Sequence, residues 1–182
     1  TTISGSAFYV CSNLTDITLP DALKEIGYGA FSNCSSLISV TLPDNITTIS
    51  SEAFYGCSNL TDITLPKSLT TLGYRAFGSC TSLASINIPK SLEQIYYYNG
   101  GPFNGCSNLK NIAFESGITS IPDYLFSGCN GIEDLVLPDT VTEIGGNAFS
   151  YCSSLRSITL PDNLTTISGS AFYVCSNLTD IT

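Results

Sequence analysis

Apolar residues recur along this chain with a period of 23 residues, and the unit is clearest from Cys34 to Gly56. Within it Leu37, Val40 and Leu42 come first, then Ile46 and Ile49, then Ala53 and Phe54, with Cys57 opening the next copy. Polar Ser, Thr, Asn and Asp fill the positions between. The first apolar group alternates with polar residues, which predicts a short half-buried strand. Equivalent strands are expected at 16–19, 39–42, 62–65, 85–88, 111–114, 134–137 and 157–160. Pro20, Pro43, Pro66, Pro89, Pro138 and Pro161 sit just past these segments, where a missing N–H removes no central ladder bond. The second group, as in Leu69 to Leu72 or Val141 to Ile144, suits another short extended segment, although irregular backbone would serve as well. The third group places Gly73, Ala76, Phe77 and Cys80 at one-turn spacing. That stretch is too short for an independent helix and predicts a single helical or 3₁₀ turn packed on the core.

One unit buries too few apolar side chains to offset the entropy of ordering its backbone, so it folds only when stacked on copies of itself. The cysteines mark those copies: Cys11, Cys34, Cys57, Cys80, Cys106, Cys129, Cys152 and Cys175, 23 residues apart except for 26 between Cys80 and Cys106. The expected fold class is therefore an α/β-type repeat solenoid, with a parallel β-sheet along one side and short helical or 3₁₀ turns on the other. Residues 1–182 are expected to form a single solenoid of about eight coils, roughly 40 Å long. Residues 1–18 are identical to 165–182, which suggests a higher-order unit of seven coils and a fragment of a longer array, with a tendency to associate end to end.

The Leu-x-x-Ile-x-Leu segment matches the leucine-rich repeat signature. The phrases I-T-L-P-D-x-L-T-x-I and A-F-x-x-C-S-x-L resemble the BspA-like leucine-rich repeats, a 23-residue subclass, over the whole chain. That resemblance implies a secreted or cell-surface protein of bacteria or some protists. It further implies binding of proteins or glycoconjugates on host or neighbouring cells through the solenoid surface, with no catalytic residues.

Composition narrows the chemistry. The chain has no His, Met or Trp, and 15 acidic against 6 basic residues give a net charge of −9. Without imidazole, the usual general base near neutral pH and the commonest metal ligand are missing. Nothing could neutralise a phosphate backbone, so nucleic acid is an unsuitable partner. No apolar run approaches the length of a bilayer span. Cysteines in one inward register lie about one coil apart with parallel Cβ vectors, which favours a ladder of free thiols over disulfides. No mixed ligand cluster suggests a metal, and no motif suggests a cofactor. Carboxylates alone could hydrolyse glycosides, but here they sit in exposed columns and not in a cleft. No enzyme activity is expected.

Two surfaces remain as binding candidates. Outward positions of the strands form a polar column containing Asp16, Asp62, Asn111 and Asp134, beside a column of mostly Thr from Thr18 to Thr182. Either columns of this kind are a solvated β face, or they contact a ligand. A Thr grid could also order water, but Ala113 and Val136 interrupt it. The second surface is the sole insertion, where Tyr96, Tyr97, Tyr98 and Asn99 precede Gly100, Gly101, Pro102 and Phe103. Three consecutive tyrosines cannot all face inward, and exposed tyrosine is common at recognition surfaces. The alternative is a tolerated loop insertion whose rings cover neighbouring coils. Sequons at Asn13, Asn33, Asn45, Asn59, Asn163 and Asn177 follow partly from the repeated turn. At the level of the whole chain, an adhesion-type binding module and a self-associating structural filament both fit.

Overall fold

The computed structural model describes residues 1–182 except Asn99. It is a parallel β-solenoid of about eight turns, and among the described residues there is no helix. This corrects the α/β expectation. The segment that carries Ala, Phe and Cys does form turns, but not helical or 3₁₀ ones. Within it the N–H groups alternate between two fates. Ala53, Tyr55 and Cys57 donate three residues back, to Ser50, Glu52 and Phe54, whereas Glu52, Phe54 and Gly56 donate across to Tyr74, Ala76 and Gly78 of the next coil. A helix would commit all of these donors internally. Left-handed backbone recurs at both ends of the turn, for example at Glu52 (φ 57°) and Gly56 (φ 70°), or Asn147 (φ 54°) and Tyr151 (φ 58°). Such residues cannot propagate a right-handed helix. Stacking of coils therefore takes donors that a helix would have used.

The second apolar group is extended and supplies the longest sheet. Thr2–Ile3, Glu25–Ile26, Thr48–Ile49, Thr71–Leu72 and Gln94–Ile95 pair in parallel and in chain order. The sheet stops at the Tyr96 insertion and resumes with Ser120–Ile121, Glu143–Ile144 and Thr166–Ile167. Two strands of the first group reach the full expected length and the others are shorter, and together they fall into three sheets. These are Ser39–Val40 with Asp62–Ile63, Ser85–Ile88 with Asn111–Phe114, and Asp134–Val136 with Ser157–Thr159 and Asp180–Ile181. At 16–19 only a bridge between Thr18 and Thr41 forms.

One of these breaks has a visible cause. The Asn87 side chain accepts from the Leu65 N–H and donates to the Leu65 carbonyl, both at 2.7 Å, so an amide side chain replaces a backbone partner there. Asn87→Ala should strand both groups of that peptide and cost about 1–2 kcal/mol of unfolding free energy. Equilibrium denaturation checks this, and unchanged stability would show that solvent replaces the clamp without loss.

A continuous apolar cluster fills the solenoid. Its spine is a column of parallel phenylalanine rings from Phe8 through Phe31, Phe54, Phe77, Phe103, Phe126 and Phe149 to Phe172, with centroids 5.0–5.8 Å apart. The cysteines are free thiols, as their parallel geometry predicts. They also hold the coils in register. The Phe54 carbonyl accepts the Cys57 N–H in its own turn and the Cys80 thiol from the next coil at 3.1 Å. Cys34, Cys57, Cys106, Cys152 and Cys175 repeat this bond to a phenylalanine carbonyl. A thiol is small and apolar enough for the core yet satisfies a buried lone pair.

Candidate functional site

The strand column containing Asp16, Asp62, Asn111 and Asp134 is exposed, as its outward register requires. It does not form one continuous face. Asp62 lies beside Ser39, Asn111 beside Ser85, and Asp134 beside Ser157, in separate sheets. Asp134 accepts a hydrogen bond from Ser157 at 2.6 Å, and Asp16 one from Thr15 at 3.0 Å. Beside Asp134, Lys110 and Arg156 converge on Glu133, at 2.6 and 3.5 Å. The hydrogen bond and charge of Lys110, with Arg156 behind it, hold the Glu133 carboxyl below the usual carboxylate range. Asp16, Glu133 and Asp134 are thus already engaged by neighbours, and the shallow concavity on the strand face, about 220 Å³, is lined by Lys67, Asn87, Ala113 and Glu115 and by none of the four candidates.

The insertion lies elsewhere on the coil, between the second strand and the phenylalanine turn. Tyr96 and Tyr97 are each 58% exposed and Tyr98 is 88% exposed. Pro102 and Phe103 stand where other coils have Ala and Phe, and Phe103 keeps its place between Phe77 and Phe126. With that anchor held, the added residues have to bulge. Gly100 supports the bulge at φ +120°, and at Gly101 a Cβ would collide with the Tyr124 carbonyl oxygen. Asn99 lies outside the described residues.

The tyrosines are braced from both sides. Tyr97 stacks on Tyr124 of the following coil with centroids 3.8 Å apart and ring planes 11° from parallel. Burial, then Tyr97, pushes the Tyr124 phenol above its ordinary pKa. Tyr98 meets the Tyr74 ring edge-on at 6.1 Å, and the Arg75 guanidinium lies 5.2 Å from the Tyr74 centroid. Tyr28, also exposed, is tied down: its hydroxyl donates to Glu52 at 2.9 Å, and that bond raises its pKa.

Two grooves flank Tyr97. The larger, about 720 Å³, runs over the stacked turns between Arg75, Tyr98 and Tyr97 at one end and Tyr151 at the other. The smaller, about 560 Å³, holds Tyr96 together with Glu93, Asp123 and Glu143. Neither is lined by Asp16, Asp62, Asn111 or Asp134, so the structure separates the two sets of candidate residues.

Sequence reasoning passed over Arg75, Tyr124 and Asn147, which lie one to two coils from the insertion in sequence but line the same groove. A signal for the groove exists in the repeat. The position that carries Tyr9, Tyr55 and Tyr173 in other coils carries Gly78, Asn104, Ser127 and Ser150 here. Of these, Asn104, Ser127 and Ser150 line the groove, and their short side chains leave the surface hollow. Ser127 and Ser150 floor it, their hydroxyls hydrogen-bonded to each other at 2.9 Å.

The family described as BspA type leucine rich repeat region matches residues 1–99 and 99–182, in six copies. A leucine-rich repeat protein from Bacteroides ovatus is 27% identical, with a TM-score of 0.67, covering 99% of this chain and 58% of that one. The leucine-rich repeat protein of T. pallidum is also 27% identical, with a TM-score of 0.65 and coverages of 98% and 71%. The pneumococcal vaccine antigen PcpA shares the fold at 21% identity and a TM-score of 0.51, with coverages of 99% and 59%. The chain therefore spans a little over half the length of the Bacteroides and pneumococcal chains. A comparison with curated proteins found no match.

Proposed function

Because this chain belongs to the BspA-type leucine-rich repeat family, we propose that it is a non-catalytic recognition module, displayed outside the cell, that binds macromolecules of host or neighbouring cells. The observation that carries this reading is the cluster of exposed tyrosines at Tyr96, Tyr97 and Tyr98, the last two braced by neighbouring rings. Phenolic rings bury a large amphipathic area on binding and lose little rotamer entropy. Contacts with Tyr124 and Tyr74 have already restricted Tyr97 and Tyr98, so less ordering remains to be done when a partner arrives. Family membership supports the extracellular or cell-surface address. The absence of imidazole supports the non-catalytic part of the reading, although the expectation that no cleft gathers carboxylates does not hold at the smaller groove, where Glu93, Asp123 and Glu143 meet.

The test compares the chain with a triple variant, Tyr96→Ser, Tyr97→Ser and Tyr98→Ser. Binding is measured to an immobilised panel of extracellular-matrix and cell-surface glycoproteins. The substitutions remove exposed rings, so thermal stability should stay within about 1 kcal/mol of the parent. Affinity for any bound member should fall at least tenfold. Unchanged binding by the variant would remove the insertion from the reading. A chain that binds no member but forms concentration-dependent polymers would favour a structural filament instead.

A further inference from the structure

We propose that the larger groove is a binding site for an oligosaccharide that carries a carboxylate, with tyrosine rings stacking on sugar faces and Arg75 receiving the acid. This inference rests on the recognition reading above and names the ligand class of that surface. Its size, about 720 Å³, falls in the range of small-ligand sites.

Charge is the first argument. The chain carries 15 acidic residues and a net charge of −9, yet among the described residues no Asp or Glu lines this groove, whereas Arg75 does. Among the described residues Arg156, Lys110 and Lys67 each face a glutamate, whereas Arg75, Lys24 and Lys90 join no ion pair, and of these three only Arg75 is half-buried. Its Nε is buried without a hydrogen-bond partner. A guanidinium kept beside the Tyr74 ring and left unpaired in an acidic protein is matched by a ligand anion, which a planar fork binds through two parallel bonds. On the far side of Tyr97 the smaller groove presents Glu93, Asp123 and Glu143, which would repel the same anion. Tyr97 therefore divides an anion-accepting groove from an anion-rejecting one.

The second argument concerns what the groove can hold. Its floor is backbone whose donors are already committed: Gly105 donates to Gly128, Ser127 to Tyr124 and Gly128 to Ser150. Among the described residues, none that line it belongs to a strand, so it offers a peptide no sheet edge to extend. The Ser and Gly floor also offers no apolar pocket for a peptide side chain. What remains are phenol faces and the side-chain amides of Asn104, Asn130 and Asn147, each able to donate and accept at once. A pyranose fits that combination, because it presents a C–H face to an aromatic ring and vicinal hydroxyls to amides.

The experiment screens the chain on a glycan array holding neutral and carboxylate-bearing members, then measures affinity for a hit and for its methyl ester by titration calorimetry. Binding should be confined to acidic members, and esterification should weaken it at least tenfold. Tyr98→Ala should lower affinity at least tenfold, whereas Asp62→Ala, on the strand face, should leave it unchanged. Arg75→Asn, a residue suited to the left-handed backbone at φ 47°, should remove the preference for the acid. Tyr98 is almost wholly exposed, so its variant keeps the proposal testable even if the Arg75 variant fails to fold. No bound glycan, binding to neutral members alone, or undiminished affinity in Tyr98→Ala would overturn the proposal. Glycoprotein binding that needs the tyrosines but survives enzymatic deglycosylation would overturn it while leaving the recognition module standing. Loss of both would remove both.

Discussion

Phe77→Ala should lower the unfolding free energy by about 3–5 kcal/mol, the range for removing a fully buried aromatic ring. Phe77 is wholly inaccessible and stacks on Phe54 at 5.3 Å and on Phe103 at 5.6 Å, with planes within 8° of parallel. The coils on either side are held by their own backbone hydrogen bonds, so they cannot close over the gap, and the cavity term adds to the lost transfer energy. Position in the array adds a second consequence. Each coil contacts only its neighbours, so a weakened interface in the middle divides the solenoid into two cooperative blocks. Denaturant unfolding should change from one transition to two, or broaden with a lower apparent m-value. Phe114→Ala is the comparison. That ring is only partly buried and meets Phe126 edge-on at 6.4 Å, outside the column, so its loss should cost about 1 kcal/mol and leave one transition. Equal losses for the two variants would show that the column is ordinary apolar packing and not the spine of the fold.

Stability should also collapse on the alkaline side, between about pH 9 and pH 12. Burial pushes the Cys57 and Cys129 thiols up to about 12 from an ordinary value of 9.0. It pushes Cys80, Cys106 and Cys152 well up too, with neighbouring cysteines adding to the effect. In the unfolded chain these thiols ionise near their ordinary pKa. In the folded chain they stay protonated. Their contribution is therefore intact below pH 9 and is lost as pH rises toward the folded values, by about 1.4 kcal/mol per pH unit for each thiol. Five such thiols together remove roughly 7 kcal/mol per unit, comparable to the whole stability of a typical domain. Far-ultraviolet circular dichroism in the presence of a reductant should show cooperative unfolding one to two pH units above 9. Replacing Cys57 and Cys129 with Ala should make the fall shallower. A wild-type chain equally stable at pH 8 and pH 11 would contradict the buried-thiol ladder.

Much of this molecule was legible in the sequence because a stacked repeat makes tertiary neighbours out of residues at a fixed separation. The period of 23 identified the coil, the alternation at Ser85 to Ile88 and Asn111 to Phe114 located two strands at full length, and the cysteine register implied parallel free thiols. The single insertion at Tyr96 was equally plain, as was the need for Phe103 to keep its anchor. These conclusions need only periodicity and the amphipathic rule that apolar positions face inward.

What the tertiary structure alone decided depends on where backbone hydrogen bonds go. Spacing of Ala53, Phe54 and Cys57 is compatible with a helical turn, and only the presence of an acceptor at Ala76 in the next coil draws the Phe54 N–H outward and prevents one. The split of the first-group strands into three sheets follows in part from the Asn87 side chain reaching Leu65, a choice of rotamer that no pattern encodes. The groove beside the insertion joins Arg75, Tyr97, Asn104, Tyr124 and Tyr151 across four coils. Apart from Tyr97, which the insertion marks out, each of those residues looks like an ordinary position in its own repeat. Their convergence exists only once the coils are stacked, because a solenoid sets residues 23 apart in sequence next to one another in space, and the insertion shifts what stands beside what.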